Sequence, residues 1–360
     1  AGAAPAPAGG VAPTGAGAAP GRVVIEPVLH CVTRGIDPPC PACASGHTGA
    51  CQRTAFGHIR PGLQTGYCAD TGGGWSGSLV AHAAQVHSVP GAMDDESAVM
   101  VEPAACAVHA ALSARVGDGE TVAVLGAGTL GLCTTAALRH LALPGTLVVG
   151  ARYPTQRRLA ADLGADVVAG PDEMRRAVRR VTHSLAVGPA GGPGRLTGGA
   201  DVVLDCVGSA DSIADALAVV RPRGKIVLVG MPGSVTVDLA PLWQREVALV
   251  GTYAYGREER PQNPSGAGDS RTGTADSRAG AGGTHAGDTH AGAHPPARTF
   301  DLAFELVAAA RLGRLVSARY PLERYREAVA HAAAAGRRGS VKIVFDLTVD
   351  SRPPRWRSAR

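Results

Sequence analysis

The sequence is poor in aromatic residues, which make up only 4% of it, with 3 Trp, 6 Tyr and 4 Phe in 360 residues. Interleaved aromatics and clustered Lys are also missing, and these are what a nucleic-acid surface needs. The densest basic run, "MRRAVRRVTH", puts Arg175, Arg176, Arg179 and Arg180 on one predicted helix and reads as a solvated face. No apolar run approaches the roughly 20 residues that span a bilayer. No charged stretch followed by an apolar core opens the chain as a secretion signal would. Nucleic-acid and membrane partners are therefore not expected, and the cytoplasm is the expected compartment. The first residue is Ala1 rather than Met, which suggests a fragment or a processed form.

Apolar residues nevertheless reach 45%, enough for a sizeable core, with abundant Gly (49) and Pro (26) and a net charge of +5. Six segments follow. Residues 1–20, almost all Ala, Gly and Pro, cannot offset their ordering entropy and read as a disordered tail. Residues 21–115 hold a strand pattern in "RVVIEPVL", a cysteine-rich loop, and the Gly-rich then alternating "GGGWSGSLVAHAAQVHSVP", as in a small β-rich domain. A helical stretch runs from about Asp94, with Pro103 expected to break it in two. Residues 116–256 alternate short buried strands with helices, which predicts a parallel sheet covered on both faces. Residues 257–298 are low in complexity and read as a disordered insertion, with His285, His290 and His294 as solvated loop residues. Residues 299–348 return to two amphipathic helices and the strand "SVKIVFDL", and 349–360 form a basic tail.

Within the alternating region, "VLGAGTLG" sets Gly126, Gly128 and Gly131 as G-x-G-x-x-G between a predicted strand and a predicted helix. Gly126 would permit the tight turn, Gly128 would let backbone approach a diphosphate, and Gly131 would let helix pack on strand. Thr129 and Leu130 open the helix, whose N-terminal N–H groups suit phosphate. The fold class is thus α/β: a Rossmann doubly wound parallel sheet plus a partial β-rich domain. At the end of the second strand, "VVGARYPTQRR" has Ala151 where an acid would bind a ribose 2′-OH, then Arg152. Arg152 suits a 2′-phosphate, with Arg157 or Arg158 as helpers, so NADP is favoured over NAD. The ends of the fourth and fifth strands, Cys206, Val207, Gly208 and Val229, Gly230, Met231, should face the nicotinamide half.

"CVTRGIDPPCPACASGHTGAC" supplies Cys31, Cys40, Cys43 and Cys51, the last three spaced C-x2-C-x7-C. Three thiolates and one further donor in a short loop suit structural zinc. The fourth ligand is either Asp37, which has the tighter spacing, or Cys31, the softer donor.

This loop, placed before a dinucleotide-binding region, resembles the structural-zinc lobe of zinc-containing medium-chain alcohol dehydrogenases, including members that act on threonine, sorbitol or glucose. "VEPAACAVHAAL" is similar to that family's Glu-Pro segment, and "PLERYREAVAHAAAAG" with "VKIVF" is similar to its C-terminal return. The resemblance implies a GroES-like catalytic domain, zinc, NADP or NAD, an alcohol or carbonyl substrate, and a homodimer or homotetramer. It implies hydride transfer between a secondary alcohol or polyol and the nicotinamide, with Glu102 as the carboxylate that approaches the catalytic metal. The family's catalytic-zinc Cys and Gly-His-Glu would precede Gly21 and are not in this sequence; "FGHIR" at His58 lacks the Glu. The chain is therefore expected to bind coenzyme but to oxidise alcohols poorly without an upstream segment. A zinc-independent NADPH reductase and a non-catalytic NADPH-binding regulator are the alternatives.

Overall fold

The computed structural model describes residues 21–188, 194–259 and 297–348. The expected tails, most of the 257–298 segment and its three histidines lie outside the described residues.

The N-terminal lobe contains β1 (Val23–Ile25), the short α1 (Pro41–Ala44) and β2 (Val86–Ser88). β1 and β2 pair antiparallel, and Val28 bridges Gln64. The lobe has less strand than its alternating sequence suggests, since residues 72–81 form none. Gly72, Gly73, Gly74 and Gly77 have little or nothing around their Cα atoms to pack against. Strand forms instead at β2, where His87 turns inward, donates to Glu26 Oε2 at 2.9 Å and stacks on Phe300 at 4.3 Å.

Two helices follow, α2 (Asp95–Ala98) and α3 (Val101–Ser113). Asp94 caps α2 by accepting from the Ser97 N–H at 2.7 Å. The break expected at Pro103 falls earlier, at Val99–Met100. Pro103 sits inside the first turn of α3, where the missing N–H would have had no helical partner anyway.

The centre of the chain runs β3 (Thr121–Leu125), α4 (Thr129–Ala137), β4 (Thr146–Gly150), α5 (Pro154–Asp162), β5 (Val167–Ala169), α6 (Met174–Val181), the small hairpin β6 (Ala186–Val187) and β7 (Arg195–Leu196), β8 (Ala200–Asp205), α7 (Ala210–Val219), β9 (Val220–Leu228), α8 (Ala240–Gln244) and β10 (Ala248–Gly251). Six of these strands form one parallel sheet in the order β10-β9-β8-β3-β4-β5. The central strands are β-branched and buried on both faces. Their two-residue period sorts side chains into two cores: Val122 and Val124 pack toward α3, α4 and α9 (Thr299–Ala309), while Ala123 and Leu125 pack toward α6 and α7. The chain leaves β3 toward β4 and β5, then returns to the other side of β3 through β8. The carboxyl ends of β3 and β8 therefore flank the crevice where such sheets bind ligands.

The expected insertion starts and ends on paired backbone. β11 (Arg257–Glu258) pairs antiparallel with β12 (Ala297–Arg298). The anchor is Glu258, which accepts from His109 Nδ1 at 2.8 Å and lies 2.8 Å from the Thr299 hydroxyl. β13 (Val316–Tyr320), α10 (Tyr325–Ala333) and β14 (Lys342–Phe345) complete the described chain after α9, with β13 and β14 parallel. β14 returns to the N-terminal lobe, where Phe345 meets Trp75 edge-on at 4.9 Å.

Candidate coenzyme cleft and cysteine cluster

A cleft of about 510 Å³ opens at the carboxyl ends of β3, β4 and β8. The three glycines of the turn face different surroundings. Gly126 has φ +92°, and a Cβ there would lie 2.5 Å from Val207 Cγ2. A Cβ on Gly131 would lie 1.9 Å from the Gly126 carbonyl oxygen, so α4 crosses the turn in direct backbone contact. Gly128, the N-cap of α4, borders the cleft, and a Cβ there would meet nothing within 4 Å. The first N–H groups of α4 have no partner inside the helix. Thr129 Oγ1 donates to the Val341 carbonyl at 3.2 Å and ties the helix start to the approach of β14.

Of the other residues expected here, Arg152, Cys206 and Val207 line the cleft together with Tyr153 and Gln156. Arg152 is exposed and has no ion pair among the described residues. Arg157 is not a free helper: its Nε donates to the Ala151 carbonyl at 3.0 Å and braces the end of β4. Burial pushes the Cys206 thiol up to about 12, so it stays protonated, with Thr134 as its neighbour. Leu130 and Val229 are half-buried, Met231 is exposed, and these three lie outside the cleft lining with Thr129, Gly131, Gly208 and Gly230. Gly208 and Gly230 instead press backbone to backbone, each leaving less than 3 Å for a Cβ.

Sequence reasoning missed Asp205, the fully buried residue that ends β8. Its Oδ1 accepts the Val207 and Gly208 N–H groups at 2.9 and 3.1 Å, and its Oδ2 accepts the Ser212 hydroxyl at 2.8 Å. Its carbonyl takes the Val229 and Gly230 N–H groups, both at 2.9 Å. One residue thus joins β8, β9 and α7 behind the cleft. An acid closing the apolar run "VVLD" was the available signal, because a buried charge must be fully hydrogen-bonded.

In the N-terminal lobe Cys31, Cys40, Cys43 and Cys51 converge, their sulfurs all within 4.8 Å of one another and none in a disulfide. The Cys31 and Cys51 sulfurs are 3.8 Å apart. A tetrahedral ion with metal–sulfur bonds of about 2.3 Å would set its sulfurs about 3.8 Å apart, so the four thiols fit zinc. The N–H groups of Cys40, Gln52 and Arg53 point at the sulfurs of Cys31, Cys40 and Cys51. Burial pushes the Cys40 thiol up, but hydrogen bonds from Gln52 and from its cysteine neighbours outweigh that and bring it down to about 6. Asp37 is exposed and stands outside the cluster, so the structure brings in Cys31 and leaves Asp37 out. The fully buried Arg34 organises the lobe. Its guanidinium donates to the carbonyls of Leu29, Phe56, Ile59, Arg60 and Gly62.

Glu102 lies on α3, outside both the cleft lining and the cysteine cluster. Burial pushes its carboxyl above the usual range, against the pull of Lys342 and of hydrogen bonding from Cys106. The Cys106 thiol is 3.7 Å from Glu102 Oε1, and the buried Tyr255 hydroxyl close by has no hydrogen-bond partner among the described residues. No second group of three or more metal donors occurs among the described residues, and His58 packs against Gly35 instead. Glu102 and Cys106 alone do not fit a catalytic zinc.

Residues 129–264 match the zinc-binding dehydrogenase family profile. The chain is 29% identical over 238 residues to sorbitol dehydrogenase of Arabidopsis thaliana, covering 65% of this chain and 58% of that one. It is 29% identical over 240 residues to L-idonate 5-dehydrogenase of Vitis vinifera, again covering 65% and 58%. The chain thus spans somewhat under two thirds of these relatives. Among solved structures, a zinc-binding dehydrogenase of Sinorhizobium meliloti 1021 bound to NADP superposes with a TM-score of 0.62 at 23% identity, covering 93% of this chain and 79% of that one. The 2R,3R-butanediol dehydrogenase of Bacillus subtilis gives 0.58 at 19%, covering 90% and 73%. With the parallel sheet, the glycine turn and the four-cysteine lobe in place, these matches make the chain similar to zinc-type medium-chain alcohol dehydrogenases over residues 129–264 and in fold.

Proposed function

We propose that this chain holds NADP, or with lower affinity NAD, for an oxidoreductase that moves hydride between a secondary alcohol or polyol and the nicotinamide. One observation carries the reading. The Gly126–Gly131 turn opens α4 onto a cleft at the switch point of the sheet, with Arg152 and no acid at the end of β4. The bound coenzyme would supply the hydride acceptor. The chain's own residues bind and orient it. The α4 N-terminus and the bare Gly128 backbone take the diphosphate, and Arg152 takes the 2′-phosphate. Asp205 fixes the loop on which Val207 and Gly208 stand. The polyol assignment draws on the sorbitol and idonate dehydrogenase relatives. Zinc held by Cys31, Cys40, Cys43 and Cys51 would be structural, locking a loop that has little strand or helix to hold it.

Calorimetric titration with NADPH and NADH tests the reading. Saturable binding with NADPH tighter is expected; no binding of either to a folded sample refutes it. Unbridged thiols suit the reducing cytoplasm, where we place the protein. β10 is an edge strand with Leu249 and Val250 exposed, so we assign it as the seam of a homodimer or, with a second contact, a homotetramer. Light scattering that gives a dimer for the native chain and a monomer for Val250→Pro is the expected result. A dimer for both would place the seam elsewhere.

A further inference from the structure

We propose that the turn at residues 336–339, about 180 positions beyond Arg152 in sequence, brings Arg337 and Arg338 to the same end of the cleft as a second cationic wall for a 2′-phosphate. The proposal rests on the coenzyme reading above and assigns specificity residues to that site. Two contacts place the turn. A Cβ on Gly336 would lie 2.2 Å from Tyr153 Cε2, so the backbone there lies directly against the Tyr153 ring. Gly339, in the left-handed region with φ +69°, comes within 3.2 Å of Thr155 Oγ1 by the same measure. Arg337 and Arg338 stand between these two contacts. Tyr153 follows Arg152 directly, and both line the cleft. The turn is therefore fastened to the first residues of α5, beside the side chain that would meet a ribose phosphate.

The charges support the placement. Arg337 and Arg338 are exposed, and neither has an ion pair or side-chain hydrogen bond among the described residues. Arg152 is likewise unpaired, and the first turn of α5 carries no acidic residue. The carboxylates that line the cleft, Asp211 and Asp215, belong to α7 at its other wall. Three unpaired guanidinium groups beside a wall without acids match a phosphate dianion and offer nothing specific to a bare 2′-hydroxyl. Both short contacts occur at glycine, and a larger residue at 336 would collide with the Tyr153 ring and force the turn away.

The test measures dissociation constants of the full chain for NADPH, NADH, 2′,5′-ADP and 5′-AMP. The variants are Arg152→Ala, the double variant Arg337→Ala with Arg338→Ala, and the corresponding double lysine variant. The alanine pair is expected to weaken NADPH and 2′,5′-ADP about tenfold, the size of one lost charge-assisted contact. NADH and 5′-AMP should be unchanged, and the lysine pair should recover most of the loss. Unchanged NADPH affinity in the alanine pair, with Arg152→Ala weakened, overturns this proposal and leaves the coenzyme reading standing. Equal losses for NADPH and NADH overturn it too, because they show a structural role. No binding of any nucleotide to the folded native chain overturns both.

Discussion

Substituting alanine at two of the glycines of the turn should separate coenzyme binding from folding. At Gly131 the added methyl would stand 1.9 Å from the Gly126 carbonyl oxygen, well inside contact distance. The helix must then move off the strand, an overpacking that costs about 1–3 kcal/mol. At Gly128 the methyl meets nothing in the protein within 4 Å. The stability cost there is only that of a poorer N-cap, roughly 0.5–1 kcal/mol. The same methyl, however, would occupy the approach to the α4 N-terminus. Losing two hydrogen bonds to a charged diphosphate, at about 1.5–3 kcal/mol each, weakens binding by about 10²–10⁴-fold. Gly128→Ala should therefore melt near the native temperature while losing NADPH in calorimetry. Gly131→Ala should melt well below it. Gly128→Ala that binds NADPH within about threefold of the native chain would refute the assignment of the turn.

Other outcomes follow from the same geometry. Plasma emission should find one zinc per native chain and per Asp37→Asn chain, and less than one for Cys31→Ser; the reverse pattern would restore Asp37 as the fourth ligand. Arg34→Met leaves up to five carbonyls, that of Leu29 buried and the others partly so, without their donor, so it should destabilise the lobe by on the order of 3 kcal/mol and lower its zinc content, as read by melting and metal analysis. Burial pushes the Glu258 carboxyl up, but hydrogen bonds and charge from His109, with a bond from Thr299, outweigh this and hold it below its usual 4.5. Its stabilisation is therefore present above the unfolded value and lost as pH falls through the lowered one. Glu258→Gln should remove that part of the acid limb in melts taken as pH falls below the usual 4.5; an unchanged limb would show the carboxylate contributes nothing.

The parallel sheet was legible because each central strand is a short β-branched run bounded by glycine, and because the helices between them keep a 3.6-residue period. The glycine turn was legible for the same local reason. Ser209, which caps α7 by accepting from the Ser212 N–H, is a signal of the same local kind. What escaped depends on partners far apart in sequence. β13 is strand only because β14 lies beside it, and the alternation in "VSARY" is too short to announce that by itself. The choice of Cys31 over Asp37 turned on how the loop folds back, which spacing does not encode. Asp205 was passed over because its worth lies in three amide and hydroxyl donors that converge only after β8, β9 and α7 assemble.

The pairing of β11 with β12 holds residues 258 and 297 at neighbouring positions. Whatever chain runs between them, its two ends already meet. For a flexible loop so closed, each doubling of length costs only about 0.6 kcal/mol. β11 and β12 thus form a socket, between β10 and α9, into which segments of very different size can be spliced, and a relative that replaced the whole stretch with a tight turn would keep the same fold.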